Sequence, residues 1–288
     1  MTTSTATRHS AGSGVNFGRI LRSEWIKVTT VPSTIVLLVT TFAVMVGLAA
    51  LFAWALATGQ EQLDAAPEGQ NFGPPPGQGI PDFSETALTI ASSGLIFGQL
   101  LIASLAVVLI ASEWATGMIR STMVAVPRRI PALLAKNVVI AALAFVIGAL
   151  AAVLSYVVGQ PILAGQELDF SLTTDGVPAS IINTGVYLAL IAVIAMGIGT
   201  LLRNTAGGVV TAVALFFVVP TIVVTLLSNL ADWIPDAARF LPTNAGEQLV
   251  AITIAEDALT QLEGGLVMAA WALVLLVVSL AVTKRRDI

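Results

Sequence analysis

Residues 88–129 read LTIASSGLIFGQLLIASLAVVLIASEWATGMIRSTMVAVPRR. The first part, residues 88–111, contains no charged side chain, whereas the second part carries Glu113, Arg120, Arg128 and Arg129. An apolar run of about 20 residues is long enough to cross the roughly 30 Å hydrocarbon core of a bilayer as an α-helix. The stretch therefore predicts a transmembrane helix that ends in a basic loop.

The same alternation of apolar run and polar loop extends over the rest of the chain. Hydrophobic residues make up 56% of the 288 residues and charged residues 10%, with a mean hydropathy of +0.92. A transmembrane β-barrel shows segments of about ten residues with alternating polarity, whereas these runs are continuously apolar and therefore indicate helices. We predict an all-α integral membrane protein with six transmembrane helices, at residues 34–58, 88–111, 134–159, 180–202, 206–227 and 266–283.

Charged residues are sorted between successive loops. Twelve of the thirteen Lys and Arg residues lie before the first span, after the last span, or with the loops that follow spans two and four; only Arg239 does not. Fourteen of the seventeen acids lie in the other three loops, and the exceptions are Glu24, Glu113 and Asp287. Because basic loops stay on the cytoplasmic side, this sorting predicts that both termini are cytoplasmic and that three acidic loops face outside.

The N-terminal residues divide into two parts ahead of the transmembrane domain, which we place at residues 32–288. Residues 1–16 are small and polar, so we expect a disordered cytoplasmic tail. Residues 17–31 have apolar side chains at helical spacing with basic residues elsewhere, which predicts an amphipathic elbow helix in the plane of the inner interface. Glu24 lies on or beside the apolar face of this helix, where we expect it to contact protein or Lys27.

Two segments on the acidic side are long. Residues 59–87 are rich in Pro and Gly, which predicts a largely irregular exposed loop. Residues 228–265 contain Trp233, Ile234, Phe240 and Leu241, and we expect them to dip partly into the outer interface as short helices. Within the spans, the Gly94–Gly98 step favours close approach of another helix, and Pro220 predicts a kinked or loosened fifth span.

The polar groups inside the spans are mild. Serine and threonine hydroxyls there commonly bond to their own helix backbone, whereas the Gln99 amide in mid-span needs a partner on another helix. No Asp, Glu, His, Lys or Arg lies near the middle of a predicted span, which argues against a proton-coupled carrier and an intramembrane enzyme. The candidates for lining a substrate path are Gln99, Ser92, Ser104, Thr211, Thr221 and Thr225.

Several kinds of chemistry have no residues to support them. The chain contains no Cys, which excludes disulfides and thiolate chemistry. It has no GxxxxGK[ST] phosphate-binding loop, so it does not hydrolyse ATP by that route. The basic residues are explained by anionic lipid head groups and need no nucleic acid. We therefore expect a protein that is not itself an enzyme and holds no cofactor or metal.

Three stretches together resemble the ABC-2 type permeases, the membrane subunits of many bacterial ABC exporters. They are residues 22–27 (RSEWIK) before the first span, residues 113–136 with EWATGMIRST, PRR and Lys136 after the second span, and residues 241–246 (LPTNAG) before the last span. They occur in the order and topological positions that the family shows, and the six-span layout extends the similarity over nearly the whole chain.

The resemblance implies a complex in the bacterial plasma membrane. Two permeases, either two copies of this chain or one copy with a related permease, pair with two ATP-binding cassette subunits that bind ATP and Mg²⁺. The loop after the second span forms a coupling helix on the ATPase, and the substrate path lies between the permeases, lined by spans two and five. The matching contacts with the ATPase are Glu113, Arg120, Arg128 and Arg129, braced by Glu24 and Lys27 of the elbow helix.

These features leave more than one function open. The first is an ATP-driven exporter subunit that moves an amphipathic drug, lipid or peptide outward by alternating access. The alternative is a non-transport immunity or sensor subunit that binds a toxic peptide or lipid through its acidic outer loops. Deleting most of residues 59–87 separates the two, because a sensor loses its response whereas an exporter core still assembles and turns over.

Overall fold

The computed structural model describes residues 16–65, 83–118, 129–228, 230–231, 233–255 and 258–285. In these residues 86% of the chain is helical and no strand is present. The helices are α1 (Phe17–Thr30), α2 (Pro32–Asp64), α3 (Phe83–Ala115), α4 (Arg129–Leu163), α5 (Val177–Leu202), α6 (Thr205–Leu227), α7 (Trp233–Ala238), α8 (Pro242–Val250) and α9 (Gln261–Arg285).

Six of these helices, α2 to α6 and α9, are long and apolar enough to cross a membrane, which is consistent with a multi-pass membrane protein and confirms the six predicted spans. Several extend beyond their predicted ends. The residues from Gly59 to Asp64 continue α2, and Phe83–Ala87 begins α3, so the described ends of the Pro-rich loop are helical and not irregular. The predicted disordered tail and the middle of that loop lie outside the described residues, except for Asn16, which caps α1.

The spans differ in how much of their surface other helices cover. α5 is central and packs against α3, α4, α8 and α9, while α3 also contacts α2 and α6. By contrast α2, α6 and α9 leave most of their apolar side chains on the outside of the bundle. We call the end of the bundle where α3 finishes and α4 begins the basic end, and the opposite end the acidic end.

Close packing between α2 and α3 depends on the predicted glycine step. A Cβ added to Gly94 would lie 2.5 Å from the backbone oxygen of Met45, and one added to Gly98 would lie 2.6 Å from the Met45 sulfur. Both distances are shorter than real Cβ atoms tolerate, so only glycine allows this approach. The sequence expectation of a close helix contact at Gly94 and Gly98 is therefore confirmed, with Met45 as the contact.

The fifth span, α6, is loosened around Pro220 as predicted. Its backbone widens to π-helical turns at Ala214–Val218 and again at Val223–Leu227, on either side of the proline. Proline lacks an N–H and its ring displaces the carbonyl of the preceding turn, which explains why the regular ladder fails here. α6 therefore departs from regular α-helical geometry on both sides of Pro220.

α7 and α8 form a helical hairpin, residues 233–250, that enters the bundle from the acidic end and returns to it. Where α8 ends, the Ser180 hydroxyl near the start of α5 donates a hydrogen bond of 2.7 Å to the Val250 carbonyl. At the tip, the Thr243 hydroxyl donates a 2.7 Å bond to the carbonyl of Phe216, which is the twelfth residue of the 23-residue α6. The tip of this re-entrant hairpin therefore reaches the middle of the spans.

A second contact places the tip at the same depth. The indole N–H of Trp271, the eleventh residue of the 25-residue α9, donates a 3.0 Å bond to the Phe240 carbonyl. The prediction of short helices in residues 228–265 is thus confirmed by α7 and α8, but the hairpin goes deeper than the interface. Its depth is possible because buried side chains and other helices satisfy its backbone groups.

The hairpin sits against α5 through Gly246. A Cβ built on Gly246 would lie 1.7 Å from Cε2 of Tyr187, so any side chain here displaces α8 or the ring. We expect Gly246→Ala to lower the free energy of unfolding by about 1–3 kcal/mol, the usual cost of overpacking. Unfolding in mixed detergent micelles measures the effect.

The matched control is Gly47→Ala in α2, where an added Cβ meets nothing within 4 Å. Alanine favours a helix over glycine, so this variant should equal or exceed the wild type in stability by up to about 1 kcal/mol. Equal stabilities for the two variants would contradict the close packing of α8 on Tyr187.

Candidate functional site

Four charged side chains from three helices meet at the basic end, and we call them the ion cluster: Glu24 and Lys27 of α1, Glu113 of α3 and Lys136 of α4. The Lys136 ammonium donates to Glu24 Oε2 at 2.5 Å and to Glu113 Oε1 at 2.7 Å. The Lys27 ammonium donates to Glu24 Oε1 at 2.6 Å and lies 3.7 Å from Glu113 Oε1. The expectation that Glu24 meets Lys27 or protein is confirmed.

The ion cluster is buried and electrically balanced. Glu24 is 1% exposed, Glu113 3% and Lys136 5%, while Lys27 is half-buried. Two carboxylates and two ammonium groups sum to zero, which reduces the otherwise large cost of removing each charge from water. Glu24 and Lys136 are 112 residues apart in the sequence, so their bond holds α1 against α4.

Charge interactions in the cluster outweigh the effect of burial on the two groups of α1. Burial alone would raise the pKa of the Glu24 carboxyl, but the ammonium groups of Lys136 and Lys27 hold that pKa below its ordinary value of 4.5. Burial alone would lower the pKa of Lys27, but its hydrogen bond to Glu24 and the charge of Glu113 raise it above its ordinary value of 10.5. Both groups are therefore ionised at neutral pH.

The ion cluster stands at the base of the loop that joins α3 to α4. Glu113 is in the last turn of α3 and Lys136 is in the second turn of α4, so the two helices that hold the loop are bonded to each other. The guanidinium of Arg203, in the link from α5 to α6, stacks 3.8 Å above the Trp114 ring. The end of α3, the start of α4 and the link between α5 and α6 are thus connected around this loop.

The structure brings some of the predicted coupling residues together, and others lie outside the residues that it describes. It brings Glu24, Lys27 and Glu113 together and adds Lys136, which bonds both carboxylates. Arg120 and Arg128 lie outside the described residues, and Arg129 is described only as the first residue of α4. The other carboxylate oxygen of Glu113, Oε2, is buried without a hydrogen-bond partner among the described residues.

A second polar group lies in the middle of the bundle. The Tyr187 hydroxyl of α5 donates to Gln99 Oε1 of α3, and the Thr243 hydroxyl of the hairpin lies 3.5 Å from the same oxygen. Thr243 has one proton to donate and gives it to the Phe216 carbonyl at the shorter distance of 2.7 Å. The prediction that Gln99 finds a partner on another helix is confirmed, and the contacts join α3, α5, α6 and α8.

Next to these groups lies a cleft of about 230 Å³ between α3, α6 and α8. Its polar lining residues are Gln99, Thr221, Thr225, Thr243, Asn244 and Glu247, and its walls are otherwise apolar. The hydroxyls of Thr221 and Thr225 donate to carbonyls of their own helix. The structure therefore brings three of the six predicted path residues, Gln99, Thr221 and Thr225, into one cleft; we call it the outer cleft.

The other three predicted path residues lie elsewhere. Ser92 lines a separate pocket of about 420 Å³ between α2 and α3 and donates to the Thr89 carbonyl. Ser104 is half-buried and donates to the Leu100 carbonyl, and Thr211 is exposed on α6. None of these three residues lines the outer cleft.

Sequence reasoning missed Tyr187, Glu247 and the depth of Arg239. Glu247 and Arg239 belong to a segment that the hydropathy pattern assigns to the outside, and only the fold of the hairpin places them at membrane depth. One signal was present, because Arg239 is the single base that departs from the charge sorting. In the described part of the chain, no three His, Cys, Asp or Glu residues group in a way that could hold a metal ion.

Comparison with known proteins assigns no family. No protein-family model matches the chain, and no curated protein matches its sequence. The features of the structure that bear on function are therefore the ion cluster and the outer cleft.

Removing Lys136 should leave two buried carboxylates with only the half-buried Lys27 as counter-ion. We expect Lys136→Met to lower the free energy of unfolding by about 3–5 kcal/mol, as for other broken buried ion pairs. Replacing the remaining charges as well, by adding Glu24→Gln, Glu113→Gln and Lys27→Gln, should recover most of that loss. Detergent unfolding followed by circular dichroism measures both variants.

Lys284→Met is the control, since Lys284 is exposed at the end of α9 on the same side. Its effect should stay within about 0.5 kcal/mol. A loss for Lys136→Met as small as that of the control would show that the cluster does not stabilise the fold.

The lowered pKa of Glu24 predicts a pH dependence with a defined sign. A carboxyl whose folded pKa is below its unfolded pKa stabilises the fold at higher pH, and this contribution disappears as the pH falls through the folded value. The thermal unfolding temperature of the wild type should therefore drop on acidification below pH 4.5. The drop should be smaller in Glu24→Gln and unchanged in Glu167→Gln, an exposed control, whereas equal slopes in all three proteins would contradict the assignment.

Proposed function

We propose that this chain is the membrane-spanning subunit of an ATP-driven ABC exporter, with both termini in the cytoplasm and α1 as an amphipathic elbow helix in the inner interface. ATP and Mg²⁺ bind to separate cassette subunits, two per complex, and a second permease completes the pair. The observation that carries the proposal is the ion cluster at the base of the loop that resembles the family's coupling helix.

The cluster has the properties that a coupling element needs. A force on the loop reaches α3 through Glu113 and α4 through Lys136, and both side chains are bonded to α1. Buried, short and charge-assisted bonds are stiff, so the three helices respond as a unit. A partner that pushes on the loop can in this way tilt α3 and α4 together, whereas a loop with solvated charges would absorb the push.

The half of the bundle that contains the outer cleft has features that an exporter needs at its substrate cavity. α3 runs from the ion cluster to the outer cleft, and α6, with its π-helical turns, forms the other wall. A span whose backbone ladder is already interrupted changes shape at low cost. Alternating access then consists of movement of α3 and α6 against the second permease, with an amphipathic substrate between them.

Isolation of the tagged chain from its native membrane in a mild detergent tests the proposal. Mass spectrometry should find an ATP-binding cassette subunit in a one-to-one ratio with the chain if both permeases are copies of it, and in a two-to-one ratio if the second permease is a related protein. The triple variant Arg120→Glu, Arg128→Glu and Arg129→Glu should retain at least tenfold less of that subunit, because the loop would then carry the wrong charge for the ATPase surface.

The matched control reverses two exposed bases on the same side, Lys284→Glu and Arg285→Glu, and should retain the cassette subunit as the wild type does. Repeated recovery of the wild-type chain without any cassette subunit would overturn the exporter assignment. Equal retention by the triple variant and the wild type would overturn the role of the loop.

A further inference from the structure

Glu247 is an acid at membrane depth that forms no ion pair with any other described residue. It lies one helical turn, about 6 Å along α8, from Thr243, whose hydroxyl bonds the middle of α6. The hydrocarbon core extends roughly 15 Å to either side of its centre, so the Glu247 carboxylate is within it. The residue is nevertheless exposed on the surface of the chain, because it opens into the outer cleft.

Arg239 and Glu247 both line a neighbouring pocket of about 240 Å³, but these two side chains form no ion pair with each other. Arg239, at the turn of the hairpin, lies 3.8 Å from Asp236 and is not part of the outer cleft. In the described part of the chain, Glu247 makes no ion pair or hydrogen bond and is the only charged residue that lines the cleft. An ionised carboxylate in hydrocarbon is costly and marks a functional site when the protein supplies no partner for it.

The lining of the outer cleft indicates what kind of partner fits. Divalent metal ions take six or more oxygen ligands, whereas this cleft offers one carboxylate among neutral side chains, and no three His, Cys, Asp or Glu residues of the described chain group in a way that could hold a metal. The remaining walls are apolar and include Ile96, Phe216 and Pro220. A single negative charge at the edge of apolar walls is complementary to an organic cation that carries an apolar body.

We propose that Glu247 is the counter-ion in a binding site for amphipathic cations, with the charged head beside the carboxylate and the apolar body against α3 and α6. This inference deepens the proposed function, on which it rests for the statement that the bound molecule is a transport substrate. The binding step itself needs only this chain in a lipid environment.

Tetraphenylphosphonium and tetraphenylborate are suitable probes because they have the same shape and opposite charge. Equilibrium dialysis uses the full chain in phosphatidylcholine nanodiscs, with empty nanodiscs subtracted. We expect Glu247→Gln to weaken phosphonium binding at least tenfold and leave borate binding no weaker than in the wild type. Glu247→Asp, which keeps the charge, should retain more phosphonium binding than Glu247→Gln and shows that a loss reflects charge and not unfolding.

Glu167→Gln is the matched control, since it removes an exposed acid on the same side by the same chemical change and should bind both probes as the wild type does. Unchanged phosphonium binding in Glu247→Gln, or wild-type binding no greater than that of empty nanodiscs, overturns the proposal. Cation binding by a chain that recovers no cassette subunit would keep this site and reject the exporter. Recovery of a cassette subunit by a chain that does not bind the cation would keep the exporter and reject this site.

Discussion

An ionised carboxylate that is buried without a cation is costly, and at the basic end the pairing of two such carboxylates joins three helices that are far apart in sequence. Glu24 and Glu113 share the ammonium group of Lys136, so α1, α3 and α4 have one relative arrangement that pairs every charge. Any rotation of α1 that exposed Glu24 would also break its bond to Lys136. The geometry of the loop between α3 and α4 depends on this arrangement, because both of its ends are held there.

The middle of the bundle meets a different constraint, that polar groups in hydrocarbon need partners inside the protein. The re-entrant hairpin meets it with hydrogen bonds from Thr243 at its tip and to Val250 at its end, and with a glycine that allows α8 to lie directly on Tyr187. Gln99 contributes the acceptor that Tyr187 needs. The hairpin is therefore part of the bundle core and not a loop resting on its surface.

The two polar regions are connected through α3, which carries Glu113 in one and Gln99 in the other. They are 14 residues apart, or about 21 Å along a continuous helix. A rigid helix of this length transmits a tilt from one end to the other without any change in its own bonds. This connection gives a physical route by which a change at the loop would alter the outer cleft, which α3 lines together with α6.

The sequence by itself determined the six spans, the charge sorting between loops, the glycine step at Gly94 and Gly98 and the weakness of α6 at Pro220. These are local properties, because hydropathy, helix length and backbone chemistry act over one turn or one span. Only the tertiary structure decided that Lys136 neutralises Glu113 and that Glu247 lies at membrane depth. Both depend on which helices become neighbours, and that choice comes from packing and charge pairing between residues many positions apart, which no single window of sequence contains.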